Sequence, residues 1–471
     1  MSEFFLELFS EEIPASLQKS ARKTILENFI KLFDNKNISF KECFTYSVPN
    51  RLIILFKGLP SQILEKKGEV RGPNIKAPDQ AIEGFLRSNN ISQVQVFKKK
   101  TEKGEFYFYN KPEKKFLTHD ILRDNIPTVL DNIQWKKSMK WGDHDLNWAR
   151  PLKSILAIFK NKTLEFKFHH IESSNFTYLD KEFEDKKRVF KNFKRNSNYF
   201  KKNGIIIDHN LRKDFIRNEL LKQSSKKNLK LQIDEKLIQE VTDLVEQPKI
   251  LLCRFDRKFL DMPKEILVIT MQHHQKYFPT FDNKNNISNE FLVVTNNEDK
   301  KGFIKLGNER VVEARLNDAE FFWNKNKSQN LVKQISKLKK VNYFKGLGSY
   351  FDKIQRMRKL GAIISDQLLI SKDKIELSCS ICKVDLTSDL VGEFPELQGV
   401  MGGYFAEEQG FEKDIALAIR EHYLPNGLES KTPKKLFSLA LSLTDKLDTL
   451  VGFFGKNLKP TSSKDPFALR R

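Results

Sequence analysis

The sequence predicts a multidomain α+β protein: a mixed α/β body with an inserted subdomain, followed by an all-helical domain. Three observations lead to this prediction. Strand-like and helix-like segments alternate up to about residue 328 without the regular spacing of βαβ units. A polar, glycine-bearing loop opens residues 61–128, which we interpret as an insert between residues 1–60 and 129–328 of the body. Over residues 329–471 helical periodicity dominates.

The body begins with a predicted strand, Phe4–Phe9, and a turn that leads into a helix. Apolar residues recur in this helix at three- and four-residue spacing and form one face, namely Leu17, Ala21, Ile25, Phe29 and Leu32. Further strands are predicted at 51–56, 104–109, 155–159, 164–168, 250–253, 266–270 and 291–295. Helices are predicted around 81–88, over a charged stretch from about 181 to 246, and at 308–323 and 433–454.

Composition narrows the class of protein. The chain has 83 Lys and Arg against 61 Asp and Glu, a formal net charge of +22, which favours a polyanionic partner such as nucleic acid.

The apolar runs are strand-sized and fall short of the ~20 residues of a membrane helix. The first residues of the chain are acidic where a secretory signal peptide would be basic, so we expect a cytoplasmic protein. The CxxC pair Cys379 and Cys382 lacks a second pair nearby and predicts packing residues on a helix.

The segment from 272 to 323 concentrates amides, imidazoles, fixed charges and aromatic residues without a motif for a catalytic nucleophile. Such a segment suits a site that holds a large polar partner. We therefore select candidate positioning residues for a nucleic acid: His274, Gln275, Lys276, Asn308, Arg310 and Arg315. A metal site is disfavoured, because the adjacent His273 and His274 would point to opposite faces of a strand.

The predicted helix 308–323 has an apolar stripe formed by Val312, Leu316, Ala319 and Trp323. Arg315 falls beside this stripe, and Asp318 is a possible local partner for it. Two interpretations stay open for Arg315. It forms a salt bridge that docks the helix, or its guanidinium orients a phosphate or a carboxylate of a partner.

A second group of residues lies in the almost wholly apolar helix 433–454, where Ser442, Asp445, Asp448 and Thr449 form one polar stripe. Carboxylates in apolar surroundings need a cation, a metal or dense hydrogen bonding. With His422 upstream, the pattern resembles the HD phosphohydrolase superfamily. The His-Asp pairs that such a metal site needs, at 119–120 and 144–145, lie far upstream. We therefore expect a degenerate HD-like site at His422, Asp445 and Asp448, with no bound metal.

The order of short motifs along nearly the whole chain resembles one family, the beta subunit of bacterial heterotetrameric glycyl-tRNA synthetase. The motifs that carry the resemblance are Ser10–Pro14, Arg71–Pro73, Ala81–Phe85, Met139–Gly142, Arg150–Pro151, His274–Pro279, Gly307–Arg310, Ala314–Phe322, Lys383–Leu386, Glu393–Gly402, Glu421–Pro425, Asp445–Leu450 and Ser463–Arg471. The insert 61–128 and the region around Phe168–Ile171 follow the pattern only loosely.

This resemblance implies a non-catalytic, tRNA-binding subunit of a glycine–tRNA ligase. A separate alpha subunit would activate glycine with ATP and Mg²⁺ in an alpha2–beta2 assembly, and this chain would bind tRNA(Gly) and no cofactor. Family members continue beyond the point that matches Arg471 into helical and anticodon-binding domains, so we expect a C-terminally truncated form. Two alternatives stay open: a metal-dependent HD-type phosphohydrolase, and a stand-alone RNA-binding protein.

Overall fold

The computed structural model describes residues 2–65, 68–111, 113–179, 186–427, 430–460, 465 and 469. The chain forms two compact units. Unit one comprises residues 1–217, 235–249 and 295–297, and unit two comprises residues 218–234, 250–294 and 298–471. The bounds of these units differ from the domain boundary predicted near residue 328. The division into a body, an inserted subdomain and a helical domain stays a prediction.

Unit one is built around a mixed, mostly antiparallel sheet. The strands of unit one, which belong to this sheet and to smaller ones, are β1 (Ser2–Ser10), β2 (Glu42–Val48), β3 (Arg51–Leu59), β4 (Gln62–Glu65), β5 (Gly68–Asn74), β6 (Val96–Thr101), β7 (Gly104–Lys111), β8 (Lys114–Leu117), β9 (Leu152–Phe159), β10 (Lys162–Thr163), β11 (Lys167–Phe168), β12 (Ile171–Ser174), β13 (Phe176–Thr177) and β14 (Arg188–Val189). The main sheet has the order β11-β12-β9-β1-β3-β2, and β10 pairs with β9. Only the β12–β9 pair of this sheet is parallel within the described residues.

Helices cover this sheet on both faces, because successive side chains of a strand point to opposite sides. The helices that begin in unit one are α1 (Ala15–Asn35), α2 (Asp79–Asn89), α3 (Thr118–Asp131), α4 (Phe193–Lys202), α5 (His209–Ser225) and α6 (Glu235–Thr242). Phe4 of β1 is buried against α1 and α3, in one core that includes Phe29 and Ile126. Phe5 is buried on the opposite face with Phe200 of α4.

The predicted insert contains two small sheets, with β4 paired to β8 and the order β5-β7-β6. The predicted helix near 81–88 and strand near 104–109 are confirmed as α2 and β7. The last helix of this segment, α3, contributes Leu122 and Ile126 to the core of the main sheet. One end of the insert is thereby part of the packing of the body.

Unit two combines a small sheet with a large helical part. Its strands are β15 (Lys230–Leu231), β16 (Lys249–Arg254), β17 (Phe278–Phe281), β18 (Ile287–Thr295), β19 (Asn342–Phe344) and β20 (Gly348–Ser349). Its helices are α7 (Lys264–Ile269), α8 (Phe303–Lys327), α9 (Leu331–Gln334), α10 (Tyr350–Leu368), α11 (Lys372–Ile381), α12 (Asp389–Glu393), α13 (Val400–Glu408), α14 (Lys413–Glu421) and α15 (Leu436–Gly455). The sheet order is β15-β17-β18-β16.

A single core of buried apolar side chains runs through unit two, from Phe291 of β18 through Trp323 of α8 to Leu441 of α15. The helical part is built on α10, which packs against α11 and α15, and on α14, which packs against α13 and α15. Ser349 and Asp352 form a capping box that starts α10. The all-helical prediction needs a small correction, since β19 and β20 form a two-stranded sheet here.

One predicted strand is wrong, and another is shorter than predicted. The run 266–270 lies in helix α7 and the π-helix Thr270–His274 that continues it. A short apolar run of this kind suits either a strand or a buried helix, and here Ile266 and Leu267 join the core of unit two. Of the predicted strand 164–168, only Lys167–Phe168 is extended in a ladder. No helix in the described part of the chain is long and apolar enough to span a membrane.

Candidate functional site

The polar stripe predicted on the last helix is confirmed on α15. Asp445 and Asp448 are 6% and 7% exposed, in a helix whose other inward residues, such as Ala440 and Leu441, are fully buried. Thr449 donates from Oγ1 to the carbonyl oxygen of Asp445 at 2.8 Å. Two buried carboxylates on one helical face need compensating charge, and two lysines supply it.

Lys383, directly after α11, lies between the histidine and the first of these aspartates. Its Nζ is 2.9 Å from Nε2 of His422 and 2.9 Å from Oδ2 of Asp445. The same ammonium lies 3.8 Å from the centroid of the Tyr423 ring, a cation–π contact. Lys383 and His422 are 1% and 0% exposed, so both side chains are almost wholly removed from bulk water.

Lys353 of α10 binds both aspartates. Its Nζ donates to Oδ2 of Asp448 at 3.0 Å and to Oγ1 of Thr449 at 2.9 Å. It also lies 3.0 Å from Oδ1 of Asp445, an ion pair without hydrogen-bond geometry. Arg356, one turn further along α10, donates to both carboxylate oxygens of Asp448, at 2.6 and 3.2 Å. We call Lys353, Lys383, His422, Asp445 and Asp448 the lysine–aspartate cluster.

The charge states within the cluster follow from burial and proximity. Burial would lower the pKa of both lysines, but the attraction of the Asp445 carboxylate, together with smaller effects of other neighbouring groups, raises each pKa overall. Burial would raise the pKa of Asp445, and the two ammonium groups instead hold it well below its usual range. Burial beside Lys383 lowers the pKa of His422 to about 3. The cluster therefore holds two ammonium ions, an ionised Asp445 and a neutral imidazole at neutral pH.

The donor set does not fit a divalent metal. A metal held by His422 and Asp445 would need Nε2 and a carboxylate oxygen, but Nε2 and Oδ2 already contact the ammonium of Lys383, and Oδ1 lies 3.0 Å from that of Lys353. Within the described residues no group of three or more His, Cys, Asp and Glu side chains is arranged to hold a metal ion. The positive charge at this place comes from lysine, and the likeness of the site to an HD centre stays a prediction.

A third carboxylate, Asp385, lies two residues after Lys383 and is 1% exposed. Its Oδ2 accepts hydrogen bonds from the backbone N–H groups of Gly399 and Gly402. Burial raises the pKa of Asp385 to about 6 despite these bonds. Gly399 has a φ of +79°, and a Cβ there would meet the Tyr423 ring at 2.7 Å, so glycine is required for this approach.

Beside the cluster opens a cavity of about 470 Å³, lined by Tyr343, Tyr350, Tyr423 and Lys446 among others. Lys446 already donates to the carbonyl oxygens of Tyr423 and Pro425, at 3.2 and 3.0 Å. The ammonium groups nearest the cavity are thus engaged by protein acceptors. This saturation indicates a structural role for the cluster.

The predicted positioning residues around His274 fold differently from expectation. His273 and His274 end the π-helix, so the premise that they alternate along a strand was wrong. His273 lies 3.3 Å from Glu396, and the ring of His274 stands edge-on to Phe394 with centroids 5.2 Å apart. Lys276 adopts a left-handed conformation with a φ of +60°, which turns the chain into β17.

Tyr277 connects the segment that contains His274, Gln275 and Lys276 to helix α8. The Tyr277 hydroxyl donates to Oδ1 of Asn308, and Nδ2 of Asn308 donates to the carbonyl oxygen of Ile304 at 2.6 Å. Asn308 is thereby committed to fastening α8 against the turn after the π-helix. Gln275 and Lys276 are half-buried near this junction, whereas His274 is exposed.

The helix α8 confirms its predicted apolar stripe, because Val312, Leu316, Ala319 and Trp323 are all buried. Arg310 and Arg315 lie on the exposed side of the helix. Arg315 makes no ion pair with Asp318 in the part of the chain that the structure describes. Its guanidinium is instead solvated, and both arginines are available to a partner.

Comparison with known proteins agrees with the motif order in the sequence. The family model described as glycyl-tRNA synthetase beta subunit matches residues 4–471. The chain belongs to this family. Its relatives include proteins named glycine–tRNA ligase beta subunit from Rickettsia felis, Rickettsia bellii and Rickettsia prowazekii, each 38% identical over the whole of this chain. The match covers 70% of the Rickettsia felis and Rickettsia prowazekii proteins and 71% of the Rickettsia bellii protein.

Membership of the glycyl-tRNA synthetase beta subunit family makes the chain a subunit of a ligase and implies an alpha subunit as its partner. Sequence reasoning found His422, Asp445 and Asp448 but missed Lys353, Lys383 and Asp385. A usable signal existed for Lys383 and Asp385, because they are the two charged residues in the otherwise apolar segment Ile381–Leu386. Lys353 carried no comparable signal, because lysines are common on amphipathic helices.

Proposed function

We propose that this chain is the non-catalytic, tRNA-binding subunit of a glycine–tRNA ligase. It would bind and position tRNA(Gly) while a separate alpha subunit attaches glycine with ATP and Mg²⁺. Under this proposal the complex is an alpha2–beta2 heterotetramer in the cytoplasm, and this chain itself binds no ATP. The proposal extends the family assignment, which names a beta subunit of the ligase.

The observation that carries the non-catalytic role is the contact of Lys383 with both His422 and Asp445. These two side chains would have to bind the metal of a phosphohydrolase, and a lysine ammonium occupies the space between them. The rival function, a metal-dependent phosphohydrolase, is therefore disfavoured by the geometry.

The tRNA-binding role is supported by charge. The excess of lysine and arginine gives a net charge of +22, which attracts a polyphosphate backbone and releases its counterions. Arg310 and Arg315 offer exposed guanidinium groups on one rigid helix, and His274 is exposed on the same compact unit. Arginine on a fixed helix suits bidentate phosphate contacts. These three residues, with Gln275 and Lys276, remain our candidates for positioning, while Asn308 is used for packing.

A reconstitution experiment tests the proposal. The purified chain, the purified alpha subunit and an equimolar mixture are each assayed for glycylation of a tRNA(Gly) transcript in ATP and Mg²⁺. We expect turnover from the mixture alone, and retention of the chain on an alpha-subunit affinity column. Glycylation by the chain without the alpha subunit would contradict the non-catalytic role.

Two further outcomes separate the alternatives. Hydrolysis of nucleotides by the isolated chain, dependent on Mn²⁺ and abolished by EDTA, would favour the phosphohydrolase. Binding of tRNA without any association with the alpha subunit would favour a stand-alone RNA-binding protein. Absence of tRNA binding at both low and moderate salt, with the alpha subunit present, would overturn the proposal itself.

A further inference from the structure

A surface of unit one around helix α4 combines positive charge with an apolar groove. Every charged side chain between residues 186 and 202 is a lysine or an arginine, and all of them are exposed: Lys186, Lys187, Arg188, Lys191, Lys194, Arg195, Lys201 and Lys202. The last five make no ion pair with a carboxylate within the described residues. Helix α4 thus presents uncompensated cations to solvent.

The groove lies along the same helix. Phe193, Ser197 and Lys201 recur every four residues of α4 and form one wall, while Leu211 and Phe215 form another. Together with residues 205–208 they enclose about 470 Å³. Leu211 and Phe215 are 63% and 41% exposed, which is unusual for large apolar side chains that flank a concave site.

An aromatic surface completes the groove. The ring of Tyr46 on β2 stacks on that of Phe193, with centroids 5.6 Å apart and planes inclined by 3°. Asp208 also lines the groove, and its Oδ1 accepts from the backbone N–H groups of Asn210 and Leu211, at 2.8 and 3.3 Å. That carboxylate is therefore engaged in starting α5, although its other oxygen can accept a hydrogen bond from a ligand.

We propose that this groove binds an unpaired nucleotide of RNA, with the base between Phe193 and Leu211 and the neighbouring phosphates on Lys194, Lys201 and Lys202. Bases stack on aromatic and apolar side chains irrespective of sequence, while lysines track the backbone. Bases within a duplex are stacked on each other, so only a looped-out or terminal base enters such a groove. The inference rests on the proposed function and names a tRNA-contacting site on unit one.

The charge of α4 is tested with the full chain and a fluorescein-labelled tRNA(Gly) transcript. We compare Lys194→Glu/Lys201→Glu/Lys202→Glu with a control of equal charge change, Lys98→Glu/Lys99→Glu/Lys100→Glu on β6, where the lysines are also exposed. We expect the α4 variant to raise Kd at least tenfold, and its log Kd against log salt slope to fall by about 2, as for three lost phosphate contacts. The β6 control should change Kd less than threefold.

The groove is tested separately with Leu211→Glu, an exposed position whose substitution leaves the core intact. The probes are a single-stranded RNA octamer and a duplex of the same length. We expect about tenfold weaker binding of the single strand and unchanged binding of the duplex. Val94→Glu, at an apolar residue that is 95% exposed elsewhere on unit one, is the matched control and should affect neither probe.

The outcomes distinguish this inference from the proposed function. Equal losses in the α4 and β6 variants, or a Leu211→Glu variant that binds the single strand as the wild type does, overturn the groove as a nucleotide site. In both cases tRNA binding by the wild type still stands. A wild-type chain that does not bind tRNA at any salt concentration overturns both.

Discussion

Nζ of Lys383 lies 2.9 Å from Nε2 of His422, and the opposite ring nitrogen of that histidine lies 2.6 Å from the carbonyl oxygen of Ile419. The second contact assigns the proton to Nδ1, so Nε2 is left as an acceptor for the ammonium. In a metal site the lone pair of Nε2 would bind a metal ion, whereas here it points toward the ammonium of Lys383. This pairing joins the turn after α11 to the C-terminal end of α14 within the helical part of unit two.

Removing the ammonium should leave Asp445 short of charge compensation. We expect Lys383→Met to destabilise unit two by about 3–5 kcal/mol, the usual cost of breaking a buried ion pair. The double variant Lys383→Met/Asp445→Asn should recover at least half of that loss, because the stranded carboxylate is gone. Hydrogen exchange of α15 amides, with urea unfolding, measures both. Lys435→Met, in an exposed pair with Asp414 at 2.8 Å, should cost less than about 1 kcal/mol.

The buried carboxyl of Asp385 gives unit two a specific pH dependence. Burial raises its pKa in the folded state to about 6, above the unfolded value of 3.8, so the folded protein holds a proton that the unfolded chain has released. The wild type should therefore lose stability as pH rises from about 4 to 6. Asp385→Asn keeps an oxygen acceptor for Gly399 and Gly402 and should escape this loss, gaining up to roughly 3 kcal/mol relative to the wild type.

The measurement is amide exchange at Gly399 and Gly402 between pH 4 and 7, with intrinsic rates corrected for pH. Asp389→Asn is the control with the opposite sign. A hydrogen bond from Lys325 lowers the pKa of Asp389, so its contribution is lost as pH falls. A stability difference between Asp385→Asn and the wild type that stays flat over this range would contradict the raised pKa.

Substitution of the exposed arginines of α8 should weaken tRNA binding with little effect on stability. We expect Arg310→Ala/Arg315→Ala to change stability by less than about 0.5 kcal/mol, because neither side chain is buried. If both contact phosphates, the salt slope of tRNA binding should fall by about 1.5 and glycylation by the complex should weaken. Glu313→Ala, also exposed on this helix, is the control and should leave the slope unchanged. Identical salt slopes for wild type and double variant would remove these arginines from the tRNA contact.

Arg51 should be irreplaceable in unit one. Its Nη1 donates to Oε1 of Glu7 and to Oγ1 of Thr177, both at 3.0 Å, and its guanidinium lies 4.1 Å from the Phe9 ring centroid. Lysine keeps the charge but lacks the planar fork and the stacking surface, so Arg51→Lys should cost about 2–3 kcal/mol. Far-UV circular dichroism during urea unfolding, with hydrogen exchange of β1, measures this. Arg87→Lys, whose pairing with Glu83 is exposed, should fall within about 0.5 kcal/mol.

Local pattern predicted much of the fold. The apolar spacing of α1, the stripe of Val312, Leu316, Ala319 and Trp323 on α8, and the polar stripe of α15 are all found as expected. The predicted strand at 266–270 is wrong, since four apolar residues followed by a threonine fit a strand and a helix equally well until neighbouring elements select one. Arg315 was expected beside the apolar stripe and is exposed, because the face that α8 buries is formed by Val312, Leu316, Ala319, Trp323 and Asn326.

The order of motifs along the chain, together with the acidic residues hidden in an apolar helix, established the family and the presence of a buried polar centre. Both properties follow from the local sequence, which determines which face of a helix is apolar and where short turns occur. Only the tertiary structure decided what neutralises Asp445, because Lys353 of α10 and Lys383 of the turn after α11 approach it only when α10, α11 and α15 pack together. Charge pairing between distant segments depends on the packing of whole helices, and no periodicity within one segment encodes it.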